Sequence, residues 1–88
     1  MPSITINPPD GSTVPCTFTV DGAYAPAGAT VNVLLKGSPV EVNAADGVWH
    51  SATLGPFGPG EPVTVRACAD DGNVPVCVEV TYTTRNPC

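Results

Sequence analysis

The sequence predicts an all-β protein of seven short strands, a sandwich or a barrel stapled by disulfides, and three observations carry that expectation. The first is composition. Eleven prolines and nine glycines punctuate runs of valine and threonine, which disfavours long helices and favours strands joined by tight turns. The second is periodicity in the stretch Val63 to Thr84, where PVTVRACA and VCVEVTYTT flank the loop DDGNVP. If these strands pair antiparallel with Cys68 opposite Cys77, one side carries an Arg66–Glu79 ion pair and facing hydroxyls of Thr64 and Thr81. The other side then matches Ala67 with Val78, Val65 with Val80 and Val63 with Tyr82, as a half-buried sheet requires. A one-residue slip would carry every valine into water. The third is size. The chain of 88 residues makes one domain, 1–88, near the length at which a single core only just outweighs chain entropy. Its four cysteines supply the staples that small domains in oxidising settings use.

The remaining elements follow in order. Ser3 to Ile6 alternates weakly and stops at Asn7-Pro8-Pro9-Asp10-Gly11, a forced turn, so it reads as a short edge strand open to pairing with another copy. From Val14 to Asp21 the parity Val14, Cys16, Phe18, Val20 faces inward. Ala23 to Ala29 reads as a loop. Thr30 to Lys36 is a strand with Val31, Val33 and Leu35 inward and Leu34 outward. Gly37-Ser38 has the glycine-first form of a II′ turn, which pairs Leu35 with Val40 and Val33 with Val42. A four-residue loop, Ala44-Ala45-Asp46-Gly47, would place Val42 opposite Trp49 and Glu41 opposite His50, with Trp49 in the core. Trp49 and Leu54 have opposite parity, so a bulge near Ser51 is needed for both to point inward. Leu54 to Pro62, rich in glycine and proline, is a loop with Phe57 packed in it.

The runs FTVDGAYAPAGATVNVLLKG, DGVWHSATL and GPGEPVTVRACADDG resemble the bacterial immunoglobulin-like domains of surface proteins. There, a glycine turn leads through an Ala/Pro/Gly loop to a Val-x-Val strand, and a Gly-x-Trp strand precedes a Pro-Gly turn and a Val-x-Val-x-Ala strand. The resemblance covers roughly Ile4 to Tyr82 and implies a seven-stranded antiparallel immunoglobulin-like β-sandwich without enzymatic activity. The cysteines depart from its usual pattern. In size, acidity, disulfide content and scarcity of lysine the chain also resembles the antibiotic-binding apoproteins of actinomycetes, which hold an apolar chromophore in a cleft of an immunoglobulin-like fold.

The immunoglobulin-like topology implies where the cysteines and acids fall. Cys16 and Cys88 come to one end and Cys68 and Cys77 to the other, so the pairing Cys16–Cys88 with Cys68–Cys77 avoids spanning the length of the molecule. A zinc site wants ligands at short spacing, which these cysteines lack. The same topology sends Asp21, Asp46, Asp70 and Asp71 to loops at one end. Such an acidic tip would attract a cationic protein partner or hold calcium, while the simpler reading has aspartate chosen for local backbone hydrogen bonds at Asp-Gly turns.

Charge and motifs narrow the function classes. The net charge is -5, and the only cations, Lys36, Arg66 and Arg85, offer no cluster for a phosphate backbone, so nucleic acid is not an expected partner. No apolar run is long enough to span a bilayer as a helix. Met1-Pro2-Ser3 leads directly into a strand, as in a chain made without a signal peptide or in a domain taken from a longer protein. His50 is the sole histidine and stands near no nucleophile motif, so neither enzyme chemistry nor a cofactor is expected. The leading expectation is a structural, display or adhesion module outside a cell or on a virus particle, either as a decoration-type phage subunit or as part of a surface protein. Its contacts would be with proteins, through Leu34 and the outer strands. The alternative is a secreted carrier, which requires an apolar pocket of several hundred Å³.

Overall fold

The computed structural model describes residues 2–88. Within them the chain is all-β, with nine strands in two sheets. The strands are β1 (Ser3–Ile4), β2 (Thr13–Val14), β3 (Asp21–Ala25), β4 (Thr30–Leu35), β5 (Ser38–Val40), β6 (Val42–Ala45), β7 (Val48–Ser51), β8 (Pro62–Asp70) and β9 (Val76–Thr84). One sheet has the order β1-β3-β7-β6 and the other β2-β9-β8-β4-β5.

The β8–β9 hairpin has the register its alternation predicts. Cys68 pairs with Cys77, Arg66 with Glu79, Thr64 with Thr81, Val65 with Val80 and Val63 with Tyr82. The two threonine hydroxyls lie 3.1 Å apart in a hydrogen bond. The expected Arg66–Glu79 ion pair is absent among the described residues, where the one salt bridge is Lys36 Nζ to Glu61 Oε2 at 2.8 Å. Facing positions on an exposed sheet gain little from closing such a pair, so register alone does not enforce it.

Nine strands replace the expected seven because two predicted strands break. The stretch from Val14 to Asp21 keeps its parity, with Val14, Cys16, Phe18 and Val20 all buried. Pro15, however, cannot donate to a ladder. The chain leaves β2 there, touches Leu54 through an isolated bridge at Phe18, and re-enters a sheet only at Asp21. β2 pairs with β9 in parallel, Thr13 with Thr83 and Val14 with Thr84, so the sheets are not wholly antiparallel. β3 then runs on through Ala25, and the buried Tyr24 belongs to a strand instead of a loop. The other break is at Glu41, where the chain passes from β5 in the five-stranded sheet to β6 in the four-stranded one.

Both short hairpins turn one step away from the expected place. Lys36 and Gly37 have φ of 51° and 83°, and Asp46 and Gly47 have 54° and 83°. Positive φ at both central residues defines a two-residue I′ turn, whose twist suits the flanking strands. The pairs are therefore Val33 with Val40 and Leu35 with Ser38, and Ala44 with Trp49 and Ala45 with Val48. Leu35–Val40, Val33–Val42, Val42–Trp49 and Glu41–His50 do not form. Parity survives both shifts, so Trp49 remains in the core at 1% exposure. The phase change before Leu54 falls at Ala52 and Thr53, which are both exposed.

Residues from both sheets share one apolar cluster, among them Ile4, Val20, Tyr24, Val33, Trp49, Leu54, Val63, Val65 and Tyr82. The Phe18 ring meets Tyr82 edge-on at 5.6 Å, and Phe57 packs against Phe18 from the Leu54 to Pro62 segment. Polar atoms inside are paired. Trp49 Nε1 donates to the Thr5 carbonyl at 3.1 Å and the Val20 N–H donates to Ser51 Oγ at 3.0 Å. Thr84 Oγ1 donates to the Gly58 carbonyl at 2.6 Å and accepts from the Glu61 N–H at 2.8 Å. The disulfides are Cys16–Cys88 and Cys68–Cys77. The first fastens the segment after β9 to the segment after β2, and the second clamps the β8–β9 hairpin next to its loop.

Candidate interaction surface

The acidic residues divide between two regions. Asp70 and Asp71 stand where β8 runs out, and Asp46 is in the β6–β7 turn. The Asp70 carboxylate accepts the Gly72 N–H at 2.8 Å and the Asp71 carboxylate accepts the Asn73 N–H at 3.0 Å. Their placement thus has a local cause, since aspartate orders a turn by bonding its backbone two residues on. Asp21 does not join them. It starts β3 opposite His50, at the other end of that strand from Ala25, and its charge acts on Tyr82 together with that of Asp10. Pro15 is again the reason, because the strand that was to end at Asp21 now begins there. No group of three or more candidate metal ligands occurs among the described residues.

Tyr82 is fully buried, and its hydroxyl donates to the Pro8 carbonyl at 2.5 Å. Burial first, and then the carboxylates of Asp21 and Asp10, push its phenol up to about 12. Both causes disfavour the phenolate. The Lys36 ammonium, bonded to Glu61, lowers that carboxyl below its ordinary value and also lies 5.6 Å from the Phe57 ring centroid. These groups brace the fold beside the Cys16–Cys88 end.

The outer faces differ from each other. Leu34, expected to be exposed, is half-buried between Arg66 and Pro39 in register, in a shallow hollow with Lys36, Thr64 and Glu79. The large apolar side chains that do face solvent among the described residues are Val48, 60% exposed, and Val74, 73% exposed. Neither was singled out in the sequence. Val74 sits between Asn73 and Pro75 in a turn segment, where a valine has no packing role, and that mismatch was the available signal. Val48 follows an Asp-Gly turn and alternates with Trp49, so the inward position of Trp49 already implied its exposure. His50, exposed like Val48, stands between Asn43 of β6 and Asp21 of β3.

Hollows of about 220 Å³ beside Val48 and about 270 Å³ beside Val74 fall below the ~300 to 1,000 Å³ of small-molecule sites. The first is lined by Asn43, Ala44, Ala45, Val48 and His50, and the second by Pro2, Asp71, Asn73, Val74 and Val76. No helix long and apolar enough to cross a membrane occurs among the described residues. Compared with known protein families and with curated proteins, the chain matches none.

Proposed function

We propose that this chain is a non-enzymatic, immunoglobulin-like module that serves structure, display or adhesion on the exterior of a cell or virus particle. The strand order is the observation that carries it. With β1, β3, β6 and β7 taken as strands A, B, D and E, the first sheet reads A-B-E-D, and β4, β8 and β9 supply C, F and G of the second, the arrangement of immunoglobulin constant-type sheets. β5 and β2 are then additions at the two edges. Support for the location comes from the disulfides, which form and persist in oxidising surroundings.

The reading is tested by probing intact and permeabilised cells or particles of the natural source with an antibody against the folded chain. Equal signal before and after permeabilisation is expected. Signal that appears only after permeabilisation would overturn the exterior assignment.

A further inference from the structure

We propose that β6 is an open docking edge that takes up an extended segment of a partner protein, a short uncharged stretch flanked by Lys or Arg. The two sheets end in four edge strands, β1, β6, β2 and β5. Three are blunted in ways that discourage strand addition. β5 has Pro39 at its centre, β2 is two residues long and runs into Pro15, and β1, whose bonding to β3 continues to Asn7, is bracketed by Pro2 on one side and Pro8-Pro9 on the other. The half of β9 that extends past β2 carries Glu79, and Asp10 accepts its Thr81 N–H at 2.7 Å. β6 reads Val-Asn-Ala-Ala, without proline or charge.

The hydrogen-bond phase shows which groups β6 offers. Ala52 N–H donates to the Glu41 carbonyl at 2.9 Å, so the odd-numbered residues Glu41, Asn43 and Ala45 bond towards β7. In an antiparallel ladder the alternate residues point the other way. Val42 and Ala44 therefore turn their N–H and C=O groups outward, where no strand pairs with them. Ala44 faces the side of Trp49 in register and is nonetheless exposed, which shows that nothing covers this edge. Beside it lies the hollow of about 220 Å³ with the exposed Val48. Strand addition draws affinity from main-chain bonds and specificity from such pockets.

Charge selects the occupant. β6 lies between Glu41 and Asp46, both exposed. A second copy docked along this edge would bring together two chains each of net charge -5, with the Glu41 and Asp46 carboxylates of both at one seam. Self-repulsion of like-charged surfaces keeps such copies apart. A segment with cations at both ends meets these carboxylates in either direction. The inference does not rest on an exterior location, and a chain found in an interior compartment would leave it standing.

The test uses the whole protein and two synthetic peptides, Lys-Val-Thr-Val-Thr-Lys and Glu-Val-Thr-Val-Thr-Glu. The lysine peptide should bind, slow the amide exchange of Val42 and Ala44, and be preferred by roughly tenfold. Ala44→Pro removes only an outward N–H and should abolish binding. Glu41→Lys with Asp46→Lys should reverse the preference, and Lys36 already shows that lysine is accepted at the same turn position. The lysine peptide failing to protect these amides, equal binding of both peptides to the wild type, or concentration-dependent dimers held through β6 would each overturn the proposal.

Discussion

Gly22 shows how a single residue can fix the centre of the fold. A Cβ at this position would lie 1.9 Å from the Thr5 carbonyl oxygen and 2.7 Å from Trp49 Nε1. Only a residue without a side chain lets the indole reach that carbonyl. Gly22→Ala should therefore displace β1 from β3, break the Trp49–Thr5 bond and destabilise by about 2 to 4 kcal/mol. Urea unfolding checks the magnitude, and the emission of Trp49, the sole tryptophan, reports the exposure of its ring. Tyr82 provides a pH signature. Below pH 10 the phenol is neutral in both folded and unfolded chains. Between that value and the folded value of about 12, only the unfolded chain gives up its proton, so stability should fall as pH rises through this window. Tyr82→Phe should flatten that limb and cost about 1 kcal/mol at neutral pH by leaving the Pro8 carbonyl without its donor. Denaturant midpoints of both proteins across the window measure it.

Among the elements, the β8–β9 hairpin was the most legible in sequence, because residues on both of its faces had to agree and a slip would have broken every pair. The Val14 to Val20 stretch was legible in its burial and not in its hydrogen bonding, since alternation reports which side chains point inward while Pro15 decides whether a ladder forms. The short hairpins were misplaced for another reason. Gly-Ser resembles a II′ turn locally, yet Lys36 adopts positive φ ahead of Gly37, and the resulting I′ turn suits the strand twist as well as a II′ turn would. The disulfides should differ in worth. They close loops with sequence separations of 72 for Cys16–Cys88 and 9 for Cys68–Cys77. In the chain-entropy model their stabilisation is about 4 and about 2.5 kcal/mol respectively. Unfolding of the double variants Cys16→Ala/Cys88→Ala and Cys68→Ala/Cys77→Ala should show the larger loss in the first.

At the scale of the molecule, a cluster of side chains was less legible than a strand pair. Placing Asp21 with Asp46, Asp70 and Asp71 required a path for the whole chain, and one proline altered it. The exposure of Val48 was legible from its alternation with the inward Trp49, whereas that of Val74, in a turn segment without alternation, depended on the placement of the whole β8–β9 loop. What unites the molecule is a frame tied by one bridge near the β8–β9 loop and another beyond the opposite end of that hairpin. The proposed exterior role requires that both bridges be formed in the native setting. The most direct measurement is to trap free thiols in the natural source with a membrane-permeant alkylating reagent, digest without reduction and identify the cysteine peptides by mass. The account predicts peptides joined through Cys16–Cys88 and through Cys68–Cys77 with no alkylated cysteine. Alkylated cysteines, or the four residues joined in another pairing, would contradict it.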